Sequence, residues 1–375
     1  MLEINFKIKP NEFFTTNPKS VLTSILNKYN TSLTPYGYIF LGYPNWHQPD
    51  IDLFQYFESD FIDNLRERKT ILIVDYTYEG FSAVECPIIK ILEDNCKKYN
   101  INPKKIFYFS GNLKDKSNLI NVIPIFLLDH DDNFKNLEND LKEIQNRCLT
   151  AIENKIFLSL SRRNRMHRVL AHAMLANSPI KEHGIISQDR LDDISINHQT
   201  LERIGYNEKQ WKRFTKRLPL IADKNEFHIN DPFNTLPDLH YKTSFSIVNE
   251  TLIHDFNGTS LFFSEKILKP IINFQPMIIY GQPGINHALQ DLGFKLYDDY
   301  FDLSFDYEKD HILRYKKLLE SIEPLVKKLS ELSTKEQIDW RFKNKEVLLY
   351  NFDNFLKQTH SDYAGKIFAA RISEL

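Results

Sequence analysis

The sequence predicts an α/β protein of two domains, each a doubly wound parallel sheet. Short, continuous apolar runs alternate with segments of helical periodicity, the runs end in turns carrying Gly or Asp, and the alternation starts afresh near Lys155. Continuous apolarity is what strands covered on both faces show, whereas a half-exposed strand alternates. The chain has 375 residues, beyond the size at which a single core stops growing.

In chain order, Tyr38 to Leu41 (YIFL) and Thr70 to Val74 (TILIV) read as the first buried strands, closed by Gly42 and Asp75. Pro87 to Tyr99 reads as a helix with Ile88, Ile89, Ile91 and Leu92 on its inner side. Lys105 to Phe109 (KIFYF) is the next strand, before Ser110-Gly111-Asn112, and Asn121 to Leu128 another. A polar helix over Asp129 to Arg147 closes this first domain, residues 1–150.

The second domain, residues 151–345, opens with the strand Lys155 to Leu160 (KIFLSL), the basic turn Ser161-Arg162-Arg163-Asn164-Arg165 and a helix through Asn177, a β-loop-α unit. Residues from about 181 to 240 read as loops or a small insertion. The pattern resumes with Tyr241 to Asn249, a helix near Ser264 to Phe274, the strand Met277 to Tyr280 and Gly281. Past Asp310 the apolar residues Ile312, Tyr315, Leu318, Leu319, Ile322 and Leu325 fall at helix spacing, and residues 346–375 read as a helical tail that packs back on the first domain.

Composition narrows the function classes. With 48 basic and 50 acidic residues the net charge is −2, so no global field draws the chain to nucleic acid or anionic lipid. Hydrophobic content of 42% beside 26% charged residues is globular. The N-terminal MLEINFKIKPNEFF lacks the apolar core of a leader, and no run reaches the roughly 18 apolar residues of a membrane span; the expectation is a soluble, cytoplasmic protein. Cys86, Cys96 and Cys148 lack metal-ligand spacing and fit a reducing compartment.

The strongest local feature is Phe262-Phe263-Ser264-Glu265-Lys266-Ile267-Leu268-Lys269-Pro270, followed by Gln275-Pro276-Met277-Ile278-Ile279-Tyr280-Gly281. Ser264 suits an N-cap, which places Glu265 and Lys266 in the first helical turn beside unpaired N–H groups. A diphosphate binds at such a place. The carboxylate can accept hydrogen bonds from both hydroxyls of a ribose, and the ammonium offsets phosphate charge. A capped surface helix with Glu in its first turn has the same spacing. Pro270 would kink a continuous helix or break it.

The run FFSEKILKPIINFQPMIIYGQPGINHALQDLGFKLYDDYFDLSFD resembles the donor-binding half of glycosyltransferases of marine phages and giant viruses, distantly similar to fucosyltransferase-like and exostosin-like enzymes of the GT-B type. The resemblance covers Phe245 to Asp306, is fainter back to Ile156 and weak before it. It implies two Rossmann-like domains facing a central cleft (GT-B-like). A sugar would pass from a UDP- or GDP-linked donor to a hydroxyl acceptor, a glycan or a hydroxymethylated DNA base, with no metal ion and no cofactor beyond the donor. Glu265 is implied at the ribose and Lys266 at the phosphates, with Ser264 and Lys269 beside them; the setting implied is the cytoplasm, of a host cell if the chain is viral.

Other residues join this reading. Arg163 or Arg165, after a strand and beside a helix start, suits a pyrophosphate whose charge grows as the glycosidic bond breaks; a solvated basic turn or an RNA-binding patch is the alternative. Gly281 opens a glycine turn that lets backbone approach a ligand, or is only a tight turn. Glu250 resembles the acidic residue that precedes the S-E-K element and contacts donor sugar hydroxyls, or is a structural carboxylate.

An inverting transfer needs a base for the acceptor hydroxyl. Glu79 is the first choice, Asp75 lies in the same turn, and His47 comes second; each is also an ordinary polar loop residue. Asp129-His130-Asp131-Asp132 resembles the Asp-x-Asp metal motif of GT-A glycosyltransferases, which would make the enzyme metal-dependent. A turn and helix cap is preferred. Lys209-Gln210-Trp211-Lys212-Arg213-Phe214-Thr215-Lys216-Arg217 interleaves cations and aromatics as strand-binding surfaces do, or forms a basic amphipathic helix with its aromatic side inward. Used with the Arg162 to Arg168 run, it makes a non-catalytic nucleic-acid-binding protein the rival reading.

Overall fold

The structure is a computed structural model. It describes residues 14–15, 25, 28–29, 35–41, 51–67, 70–77, 80–81, 86–125, 146, 155–161, 165–189, 196–220, 222, 237–255, 258–357 and 361–375. In chain order these form β1 (Phe14–Thr15), β2 (Tyr36–Leu41), α1 (Ser59–Glu67), β3 (Ile71–Tyr76), α2 (Ile88–Lys98), β4 (Ile106–Ser110) and β5 (Asn121–Pro124). There follow β6 (Phe157–Ser161), α3 (Met166–Ala176), β7 (Gly184–Gln188), α4 (His198–Arg203), α5 (Glu208–Thr215), α6 (Pro237–Tyr241), β8 (Phe245–Asn249), α7 (Leu268–Ile272), β9 (Met277–Tyr280) and α8 (Ile285–Asp291). The chain ends in α9 (His311–Ser330), α10 (Thr334–Lys343), α11 (Lys345–Lys357) and α12 (Ser361–Ile372). No helix among the described residues is long and apolar enough to cross a membrane.

The chain divides into two compact units, the first made of Met1–Lys135, Asp255–Phe263 and Lys357–Leu375, the second of Asn136–His254 and Ser264–Leu356. The class is mixed α/β, with a sheet of parallel strands in each unit. In the first unit the order is β1-β2-β3-β4-β5, with β2 to β5 parallel and the short β1 antiparallel to β2.

Period-two geometry explains the unbroken apolar run of β3. Leu72, Val74 and Tyr76 join one core with Phe61, Ile62 and Leu65 of α1 and Ile88, Ile91, Leu92 and Cys96 of α2. Ile71 and Ile73 join the opposite core with Phe107, Phe109, and Ala364, Phe368 and Ile372 of α12. The end of the chain thus covers the second face of the first sheet. Cys86 and Cys96 are buried thiols, and burial, with Glu93 nearby, pushes the Cys96 thiol up to about 12. Cys148 lies outside the described residues.

Residues Asp255–Phe263 return to the first unit through Asn112, which is fully buried. Its Nδ2 donates to the Thr259 carbonyl at 3.0 Å, and its Oδ1 accepts from the Leu261 N–H at 2.9 Å. Phe262 packs against Gly80 so closely that a Cβ there would lie 2.1 Å from that of Phe262.

The second sheet has the order β7-β6-β8-β9, all parallel. Its edge corrects the sequence reading, which left residues 181 to 240 as loops or a small insertion: Gly184–Gln188 is a strand, and α4 and α5 follow it. The strand is short, its first three residues are only half-buried, and the pattern of a covered strand is therefore missing. Gly184 has a packing reason, since a Cβ there would lie 2.0 Å from the Phe157 ring.

The helix expected over Ser264 to Phe274 is divided, with a 3-10 turn at Glu265–Ile267 and α7 after it. Pro270 falls in the first turn of α7, where a missing N–H costs nothing. The change from 3-10 to α-helix comes at Leu268, before the proline and not at it.

Candidate functional site

The site lies in the second unit, at the carboxyl ends of β6 and β8. These strands are adjacent although the paired Ser159 and Ile247 lie far apart in sequence, and the register Leu160↔Val248 puts Ser161 and Asn249 each one residue further on. Both are buried, and the Ser161 Oγ and Asn249 Oδ1 have no hydrogen-bond partner among the described residues. Buried polar groups of this kind are rare and call for a water or a ligand.

Behind them sits a closed polar network. His172 of α3 faces the Gln188 Oε1 with its Nδ1 at 2.9 Å, which fixes the proton on Nδ1 because that partner can only accept. Its Nε2 therefore accepts, with the Ser159 Oγ at 3.0 Å and the Asn249 Nδ2 at 3.3 Å. Burial, then the charge of Arg168, holds the His172 imidazole down to about 4 against the bond from Gln188. His172 is a neutral brace for strand ends.

Glu250 follows β8 and is completely buried. Its Oε2 accepts from the Thr251 N–H at 2.8 Å and the Ser264 Oγ at 2.6 Å, and its Oε1 accepts from the Ser264 N–H at 3.1 Å. The carboxylate thus fastens the end of β8 to the start of the S-E-K turn. Ser264 is an N-cap as its sequence position predicts, its Oγ accepting from the Lys266 N–H at 3.4 Å. The Ser264 and Lys266 N–H groups of this turn are therefore already taken by Glu250 and Ser264, so binding of an anion here falls mainly to side chains.

Three cations supply it. Arg168 Nη2 and Lys266 Nζ donate to the Thr251 Oγ1 at 3.1 Å and 3.2 Å, and Arg165 Nη1 reaches the Thr251 carbonyl at a longer 3.5 Å. Arg165 is the residue before α3, and Arg168, buried in its first turn, also donates from Nε to the Glu250 carbonyl at 3.2 Å. The same carbonyl accepts from the His167 Nε2 at 3.0 Å. Burial lowers the His167 imidazole to about 3, with the Arg168 and Arg165 charges adding to it against the bond to Glu250. His167 is thus kept neutral by burial first and by the arginine charges second.

Glu265 is the counterweight. Its Oε1 accepts from Lys266 Nζ at 2.7 Å, with both side chains mostly covered. Burial pushes the Glu265 carboxyl up, but the charge and hydrogen bond of Lys266, its own backbone N–H and Lys269 together hold it below the usual range. Lys269 stands on α7, one turn beyond Glu265. Thr251, Arg168, Asn249 and His167 were not singled out from the sequence. Arg168 was within reach inside the Ser161 to Arg168 run, while Thr251 shows its role only when β6 and β8 are paired.

The glycine turn after β9 serves packing. A Cβ at Gly281 would lie 2.7 Å from the Ile285 Cδ1 and 3.1 Å from the Glu250 Cβ. The N–H groups at the start of α8 are taken by Asp306, whose carboxylate accepts from the Asn286 and His287 N–H groups at 3.3 Å and 3.2 Å. Gly284, at φ +79°, donates its N–H to the Asp306 carbonyl at 2.7 Å.

The remaining predicted residues lie elsewhere. Asp75 is buried at the end of β3 in the first unit, accepting from the Tyr38 Oη at 2.6 Å, the Thr77 N–H at 3.0 Å and the Thr77 Oγ1 at 2.8 Å. Burial raises its carboxyl against those three bonds. One oxygen is spent on the Thr77 turn and the other on Tyr38 of β2. Glu79, His47, Arg163, Asp129 and Asp131 lie outside the described residues. No group of His, Cys, Asp or Glu that would hold a metal ion occurs among the described residues.

No family model matches the chain. No curated protein matches it either. Among solved structures, the N-terminal domain of Candida albicans trehalose-6-phosphate phosphatase is similar over 93% of this chain and 72% of its own, at 9% sequence identity and a TM-score of 0.44.

Proposed function

We propose that the chain is a sugar-nucleotide-dependent glycosyltransferase of the GT-B-like type, and that its donor diphosphate binds beside Thr251. The observation that carries this reading is the convergence of Arg165, Arg168 and Lys266 on one threonine at the ends of parallel strands. Ligands of open α/β sheets bind outside the carboxyl ends of the strands. A hydroxyl is a weak acceptor for two cations, and a phosphate oxygen replaces it with shorter, charge-assisted bonds.

In this mechanism Lys266 and the two arginines bind the diphosphate and stabilise the charge that accumulates on it as the glycosidic bond breaks. These fixed cations supply the charge that a divalent ion provides in metal-dependent transferases. Glu265, held ionised by Lys266, accepts from the ribose hydroxyls, and Ser161 and Asn249 offer the unpaired oxygens. Glu250, Ser264 and Gly281 position the turn. The base for the acceptor hydroxyl, of a glycan or a modified DNA base, is Glu79, with His47 the second choice.

Thermal-shift screening against UDP- and GDP-linked sugars tests the reading, because a ligand bound only by the native state raises the melting temperature by an amount equivalent to about 2.7 kcal/mol at 100 times its Kd. Stabilisation by at least one nucleotide sugar is expected. No shift with any member of the panel would refute it.

A further inference from the structure

We infer that the outer face of α5 is a docking surface for the phosphate backbone of a nucleic acid. Lys209, Lys212 and Arg213 fall at positions i, i+3 and i+4 on one face of α5, Lys216 is its C-cap and Arg217 follows in the turn, and all five are exposed. They line one shallow surface depression whose sole acid is Glu208. None of the five forms an ion pair with a carboxylate among the described residues. In a chain whose 48 basic residues are outnumbered by 50 acidic ones, these five cations between Lys209 and Arg217 are a local concentration of charge.

The apolar side of the helix is already committed. Phe214 is buried, and Tyr206, Trp211 and Phe214 form a cluster with ring centroids 5.5 to 6.1 Å apart. The Tyr206 Oη donates to the Ala173 carbonyl at 2.7 Å, which fastens the cluster to α3. A capping box at Asn207 and Gln210 fixes the helix start. The cationic face is therefore held rigid and presents no apolar side chain of its own for insertion into a bilayer, as an interfacial helix would. The partner that fits is a hydrophilic polyanion with regularly spaced charge. At about 1.5 Å of rise per residue, the stretch from Lys209 to the C-cap Lys216 spans roughly 10 Å, and Arg217 extends the charge beyond it, enough to follow several phosphates of one strand.

This inference stands apart from the donor site, and the failure of either leaves the other standing. It is tested on the full chain by fluorescence anisotropy with a labelled 20-nucleotide single strand of mixed sequence between about 50 and 200 mM salt. Five phosphate contacts give a slope of log K against log salt of about −3.5 for single strands, or roughly 100-fold loss of affinity over that range. The variant Lys209→Ala/Lys212→Ala/Lys216→Ala, changed only at exposed side chains, should keep the wild-type melting temperature and show a slope of about −1.4, roughly sevenfold over the same range. Wild-type chain that does not bind the strand, a variant with the wild-type slope, or tighter binding to phosphatidylserine vesicles than to the strand would overturn it.

Discussion

Acidification should remove stability from the second unit through His172, and the size of the effect follows from its surroundings. The imidazole is buried among Ser159, Gln188 and Asn249, and its pKa is lowered from 6.5 to about 4. The unfolded chain takes up a proton near pH 6.5, while the folded chain resists until about pH 4. Between these values the unfolded state holds more protons, so stability falls as pH falls, and the contribution present above pH 6.5 is lost by about pH 4. At 1.36 kcal/mol per pKa unit this amounts to roughly 3 kcal/mol. His167 and His240 are lowered in the same direction, so the total acid sensitivity is larger and a difference measurement is needed. Urea unfolding of the wild type and His172→Gln at a series of pH values from 7 to 4 isolates the one residue. The variant should be less stable at pH 7 by about 1–3 kcal/mol, for the loss of well-made buried bonds. That deficit should shrink by about 3 kcal/mol, or reverse, towards pH 4. A deficit independent of pH would refute the placement of a neutral His172 in a closed network.

Two further substitutions probe the scaffold. Glu250→Gln puts an amide donor where the Thr251 N–H and the Ser264 N–H and Oγ now donate, and should cost about 1–3 kcal/mol in chemical denaturation; an unchanged midpoint would mean that this carboxylate does not join β8 to the S-E-K turn. Phe368→Ala removes a ring packed on Phe107 at 5.1 Å and on Phe109 at 6.0 Å, and should destabilise the first unit by about 3–5 kcal/mol. A loss below about 1 kcal/mol would show that α12 does not close that core.

The legible parts of the fold are those where a local pattern coincides with burial. YIFL, TILIV and KIFYF lie in strands because both faces of the first sheet are covered, so every position can be apolar. The strand at Gly184–Gln188 was illegible because an edge position leaves its residues half-covered and free to be polar. Ser264 reveals itself as a cap by its own chemistry, yet nothing nearby in sequence shows that Glu250 occupies the same turn. The cation cluster was half legible for a similar reason. The run from Ser161 to Arg168 is conspicuous, but which arginine matters depends on the pairing of β6 with β8, which brings Thr251 beside α3. The glycine turn after β9 reads from sequence either as an approach for a ligand or as a tight turn, and what it packs against, Ile285 and Glu250 at Gly281, shows only in three dimensions.

The central claim is that Lys266, with Arg165 and Arg168, forms the diphosphate site of a sugar-nucleotide enzyme. Titration calorimetry of UDP and GDP against the wild type and Lys266→Met tests it most directly, because the variant keeps most of the side chain's apolar length and removes the ammonium with its charge and its hydrogen bonds to Thr251, Ser264 and Glu265. Binding of at least one nucleotide by the wild type is expected, weakened about 10- to 100-fold in the variant, as the loss of one charged hydrogen bond requires. Binding of neither nucleotide by the wild type, or equal affinity in the two proteins, would contradict the account.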